Sequence, residues 1–86
     1  MHSLRDFRPD LRYAVEHLQD AGLVREAYVL TASLERGYSS SREMLNDIGH
    51  TVLRLERRLG TDAPAGVEDA LERALSEIRK VLPALS

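Results

Sequence analysis

There is no cysteine in the 86 residues. Disulfides, thiolate metal ligands and cysteine nucleophiles are therefore excluded together, and the absence fits a reducing compartment. Long apolar runs are also missing, and none approaches the ~18 residues of a membrane span. The opening Met-His-Ser-Leu-Arg-Asp-Phe-Arg-Pro-Asp lacks the apolar stretch of a signal peptide. The expectation is a cytoplasmic protein that engages no membrane. An excess of one charge is lacking too. Twelve basic and 14 acidic residues give a net charge of −2. Residues 1–43 and 44–86 each hold six basic and seven acidic side chains. With no basic domain and no charged tail, bulk attraction to nucleic acid is not expected. Alternation long enough for a strand, internal repeats, linkers and low-complexity tracts are absent apart from Ser39, Ser40 and Ser41.

What the chain does have is apolar residues at spacings of three and four, the primary sign of amphipathic helix. Four segments result. The first runs from about Phe7 to Ala21, with Leu4, Phe7, Leu11, Ala14, Leu18 and Ala21 as its stripe. Pro9 and Asp10 suit its first turn, and Gly22 suits the left-handed position that stops it. The second runs from about Leu23 to Arg36 on Leu23, Ala27, Leu30 and Leu34, with Gly37 as its cap. So short a turn at Gly22 predicts an antiparallel hairpin. The third runs from Ser40 to Leu59. Ser40 and Glu43 have the spacing of a capping box, and Leu45, Ile48, Val52, Leu55 and Leu59 hold a 3-4-3-4 rhythm up to Gly60. The fourth follows the loop 61–66 and reaches about Leu82. Val67, Leu71, Ala74, Ile78, Val81 and Leu85 line it, Leu75 and Leu82 widen the stripe, and Pro83 closes it. Acidic side chains come early and basic ones late, matching the helix dipole.

This pattern predicts an all-α fold in a single helical domain over residues 1–86: a four-helix bundle of antiparallel helices with short loops. The alternative is long helical hairpins that dimerise into a bundle. A domain of this size buries only roughly 60–65% of its unfolded surface, so it gains from covering a face with a partner.

The sequence carries no recognisable catalytic or metal-binding constellation. The histidines stand at 2, 17 and 50, with no i, i+4 pair and no neighbouring acidic cluster at ligand spacing. No metal ligand is assigned. Serine, histidine and aspartate are present, but there is no Gly-x-Ser-x-Gly elbow and no strand to carry one. The stretch Gly37-Tyr38-Ser39-Ser40-Ser41-Arg42 offers donors at a helix start, yet it lacks the P-loop spacing and lysine. No catalytic residue and no cofactor are expected, and the chain is read as a non-enzyme. The stretch 43–52 is loosely like a helix-turn-helix with Gly49 at the turn, but the apolar stripe passes Gly49 without a change of phase. The basic Arg54, Arg57 and Arg58 also face a segment, 61–77, of net charge −4. Pairing of helix three with helix four would neutralise them and leave little for phosphates.

Projection at ~100° per residue leaves a few apolar side chains off the stripes. Tyr13 falls opposite the stripe of helix one. Val29 lies beside Arg25, with Tyr28 at the margin. Leu53 sits among Asn46, His50 and Arg57, and Tyr38 in the serine-rich loop. Tyrosine is enriched in interface hot spots. Tyr13, Val29, Tyr38 and Leu53 are the expected partner-binding residues.

Leu18-Gln19-Asp20-Ala21-Gly22-Leu23, then Glu26-Ala27, Leu30, and Leu34 through Leu45 make a helix, an Ala-Gly turn, a helix, a Gly-aromatic-Ser loop and a third helix. Over residues 11–59 this resembles small bacterial helical proteins of the immunity or inhibitor type. The acidic excess of many nuclease-neutralising partners is slight here, and no functional residue is carried over. The resemblance implies a bacterial or phage protein whose partner is another protein. The functional expectation is a binding module that inhibits or neutralises a macromolecule, such as a toxin or a host-defence complex, through a helical face. The two alternatives are a small DNA-binding regulator using the helix at 40–59, and a homodimeric structural subunit of a larger assembly.

Overall fold

A computed structural model describes residues 6–85. Leu4, placed on the first stripe, and His2 lie outside the described residues. The four helices are α1 (Arg8–Asp20), α2 (Val24–Glu35), α3 (Ser41–Leu59) and α4 (Val67–Arg79), and a short 3₁₀ turn, Gly60–Asp62, follows α3. No strand occurs among the described residues.

Each helix begins and ends for a local reason. Pro9 occupies the first turn of α1, where its missing N–H costs nothing. Asp6 Oδ1 accepts the free N–H of Arg8 at 3.0 Å. Gly22 closes α1 with φ +81°. The Leu23 N–H then donates to the Leu18 carbonyl at 2.8 Å, and the Gly22 N–H to Gln19 at 3.0 Å, the pair of bonds that defines a Schellman cap. α2 ends differently from the expectation. Arg36 turns extended at φ −67°, ψ 140°, and Gly37 is not among the left-handed glycines. α3 starts at the Ser40 cap, whose Oγ accepts from the Glu43 N–H at 3.1 Å. The other half of the capping box is missing, because the Glu43 carboxylate takes the Ser39 hydroxyl instead. Gly66, at φ +85°, precedes α4. That helix stops at Arg79, three residues short of the expected end; Lys80 and Val81 continue as a turn bonded to Glu77 and Ile78, and Pro83 disfavours helical backbone at Leu82.

The helices form one closed ring. α1 packs on α2 and α4, and α3 packs on the same two. Every neighbouring pair is antiparallel. Asp10 meets Arg73 while Tyr13 meets Gly66. Glu26 meets Arg58 while Ser33 meets Asp47. Gly49 meets Ile78, and Glu56 meets Glu72. The bundle closes within a single chain, as the first of the two expected architectures requires.

One core runs through all four helices. Leu11 and Leu18 of α1, Leu30 of α2, Ile48 and Val52 of α3, and Leu71, Leu75 and Ile78 of α4 are essentially inaccessible to solvent. At ~1.5–3 kcal/mol for each large side chain buried, this core is the main stabilising term. Gly49, deep in α3, is buried because Leu85 folds back over it, and Ile78 Cγ2 lies 3.4 Å from where a Cβ would stand. Two expected core positions fall outside. Ala21 is exposed at the cap of α1, and Val81 is exposed because α4 ends before it can be turned inward.

Candidate functional site

Among the described residues, three of the five large apolar side chains that stand in solvent lie on α2, the others being Tyr13 and Val81. Tyr28 is 72% exposed, Val24 65% and Val29 41%. Val24 and Tyr28 are i, i+4 neighbours and form one ridge; Arg25 and Val29 form the next. The reason is the width of the buried stripe. Ala27, Leu30 and Ser33 satisfy the contacts of α2 with the core, and the remaining apolar residues face solvent.

Beside the second ridge a cleft of about 270 Å³ opens between α2 and α3. Val29 and Leu55 form its apolar floor, and Arg25, Arg54 and Arg58 surround it with a single carboxylate, Glu26. Arg58 Nε lies 2.9 Å from Glu26 Oε2. Arg54 Nη2 reaches the Thr51 hydroxyl at 3.4 Å; among the described residues it forms no ion pair, although its charge also acts on Asp47. Arg25 has no ion-pair partner among the described residues.

The four residues expected to bind a partner do not share a surface. Tyr13, on α1, faces the start of α4. Its ring stacks on His17 with centroids 3.8 Å apart, and its hydroxyl covers Gly66 so closely that a Cβ there would collide with it. Val29 lies in the α2–α3 cleft, on the opposite side of the ring. Leu53 is half-buried against the core rather than projecting from it. Tyr38 is half-buried and turned inward. Its hydroxyl stands 2.5 Å from Asp47 Oδ2 and 2.7 Å from the Ser33 carbonyl. Stripe projection passes over Val24 and places Tyr28 only at the margin, outside the four expected contacts; both are exposed. The signal that points to them is apolar spacing at i, i+4 on the polar side of α2.

The Asp47 carboxylate joins the α2–α3 loop to α3. One oxygen, Oδ2, accepts from Tyr38, from Ser33 Oγ at 3.1 Å and from Arg36 Nη1 at 3.1 Å. The Tyr38 hydrogen bond above all, then Ser33 and Arg36, hold Asp47 below the usual carboxylate range against its partial burial. Burial and the adjacent carboxylate push the Tyr38 phenol up. These donors and acceptors serve one another, and the arrangement is a structural tie.

A second carboxylate stands where α3 meets α4. Glu56 borders a cleft of about 260 Å³ with Arg57, Glu68 and Glu72. Burial, then a hydrogen bond to Glu72 and the charges of Glu72 and Glu68, push Glu56 up to about 7, with Arg79 opposing. The expected charge match between helices three and four is thereby corrected in part, for Arg57 does line this cleft with Glu68 and Glu72. Arg58 pairs with α2, Arg73 pairs with Asp10 of α1 at 3.1 Å, and like charges meet at the α3–α4 seam.

Among the described residues no group of three His, Cys, Asp or Glu side chains is arranged to hold a metal ion, and no helix is long and apolar enough to cross a membrane. α3 runs unbroken through Gly49, without the turn that a helix-turn-helix requires. No protein-family model, no curated protein and no solved structure matches the chain.

Proposed function

We propose that the protein is a non-enzymatic binding module that docks the outer face of α2 on another protein and thereby inhibits or neutralises it, a toxin or a host-defence complex being the class of target. The observation that carries this reading is the concentration of Val24, Tyr28 and Val29 on one helix, with 41% or more of each in solvent. Singly exposed apolar residues are ordinary, but three within six positions give a rigid helix the apolar anchors that interfaces use. Of the four residues singled out from sequence, Val29 belongs to this face. Tyr38 and Leu53 are held inside the fold, and Tyr13 supports the start of α4.

The test is capture of a partner from the native host by the wild-type chain and by the double variant Val24→Asp, Tyr28→Asp. Both positions are exposed, so circular dichroism and the midpoint of unfolding stay near wild type. Loss of the captured protein is the expected result, together with relief of whatever activity that protein has. Undiminished capture would remove α2 as the docking face.

A further inference from the structure

We infer that the segment recognised by this face is acidic and amphipathic, a stretch of a partner protein that lays apolar side chains along Val24, Tyr28 and Val29 and sets its carboxylates against Arg25 and Arg54. This inference rests on the docking role of α2 and specifies its partner.

The charge distribution is the first argument. The whole chain carries a net charge of −2, yet the α2–α3 cleft places three guanidinium groups against one carboxylate. Glu26 is spent on Arg58 at 2.9 Å. Arg25 and Arg54 remain, both exposed and neither within ion-pair distance of a carboxylate among the described residues, Arg54 acting on Asp47 only at longer range. An arginine fork matches a carboxylate in two parallel hydrogen bonds. The second argument is the floor between the arginines. Val29 and Leu55 supply apolar surface there, and the Val24–Tyr28 ridge runs alongside. A peptide that alternates acidic and apolar groups along a helix uses both features, the groove mode of helix recognition. A nucleic acid backbone uses the cations alone. It also needs many phosphate contacts to bind at physiological salt, and two unpaired arginines are too few.

The experiment is a titration of the intact protein, followed by ¹H–¹⁵N and methyl NMR. The first probe is a synthetic acidic peptide with leucines at i, i+3, i+4 and i+7 and glutamates between them. Two others are its counterpart with lysine in place of glutamate, and a short DNA duplex. The expected outcome is movement of the Val29 and Leu55 methyl signals with the acidic peptide only. Affinity then falls about tenfold in Arg25→Glu, Arg54→Glu, as two exposed pairs of up to ~1 kcal/mol each imply. Arg25→Lys, Arg54→Lys keeps the charge but loses the bidentate fork, so affinity falls by less than in the glutamate variant. Equal binding of the lysine peptide, preference for DNA, or no response at millimolar acidic peptide would each overturn the inference. None of these results touches the docking role itself, which stands or falls on capture by the Val24→Asp, Tyr28→Asp variant. An acidic peptide bound at the cleft with capture unaffected would remove the docking role and leave an acidic-peptide site without its proposed use.

Discussion

Arg58 near the end of α3 binds Glu26 in the first turn of α2, with Nε 2.9 Å from Oε2 across 32 positions of sequence. The Glu26 side chain is only 13% exposed while Arg58 is 61% exposed. The pair fixes the register of α2 against α3 at the end of the bundle where the apolar ridge begins. It also pairs the cleft's one carboxylate with one of its three guanidinium groups and leaves Arg25 and Arg54 to set the field, so the same contact shapes both the packing and the field.

Breaking this pair from the arginine side leaves the largely buried Glu26 carboxylate without its charged partner. Arg58→Ala is expected to lower the unfolding free energy by about 1–3 kcal/mol. A double-mutant cycle with Glu26→Gln in urea denaturation isolates the coupling. A coupling near zero would show that the helices hold register through their apolar contacts alone.

Tyr38→Phe removes a donor from Asp47 and leaves the Ser33 carbonyl short of a partner. The expected loss is about 1–3 kcal/mol. The pH dependence has a definite sign. Asp47 titrates lower in the folded chain than in the unfolded one, so it contributes stability that is fully present above its unfolded pKa, near 4. That stability is lost as pH falls through the folded value. Tyr38→Phe and Asp47→Asn should therefore flatten the acid limb of a plot of stability against pH, and chemical denaturation from pH 2 to 6 reads this directly.

Glu56 has the opposite sign. It titrates near 7 in the folded chain and near its ordinary value of 4.5 when unfolded. Between these values the folded state holds a proton that the unfolded state has released, so stability falls as pH rises from about 4.5 through about 7. Glu56→Gln should stabilise the protein at pH 8 by roughly 1 kcal/mol, discounted for solvent screening at a half-buried site, and change it little at pH 4. Thermal unfolding of the two proteins at both pH values is the check. Equal shifts at the two pH values would mean that packing rather than charge explains the change.

Gly66→Ala should destabilise the bundle by about 2–4 kcal/mol, a backbone part of about 1–2 kcal/mol and a steric part of similar size. The backbone there stands at φ +85°, the source of the first part, and the new methyl group meets Tyr13. Combining Gly66→Ala with Tyr13→Ala should recover the steric part and leave the backbone part. A full recovery in calorimetry would assign the whole cost to the collision.

Much of the fold was legible along the chain because helix signals are local. The buried positions of α3, among them Leu45, Ile48, Val52, Leu55 and Leu59, are the residues that a spacing of three and four selects. The stops at Gly22 and Gly60 follow from one residue each. The candidate site was less legible. A helical projection measures angle from a stripe, whereas burial depends on which neighbour lies there. Leu53 sits well off its stripe yet packs on the core, and Tyr38 in its loop finds Asp47 nine positions on. Val24 and Tyr28 went unmarked as partner contacts for the same reason, since nothing in α2 itself says that no helix covers that side.

The amino-acid order by itself determined that this protein is helical, where most of its helices start and stop, and most of the residues that enter the core. Those properties depend on caps, proline positions and apolar periods within a few residues of each other. Tertiary structure alone decided that Arg58 pairs with Glu26 rather than with the acidic start of α4, that Glu56 and Glu72 share a seam, and that the outer face of α2 is left to solvent. Each of these depends on the order of helices around the ring and on the rotation of each about its axis, and neither quantity is written in any single segment.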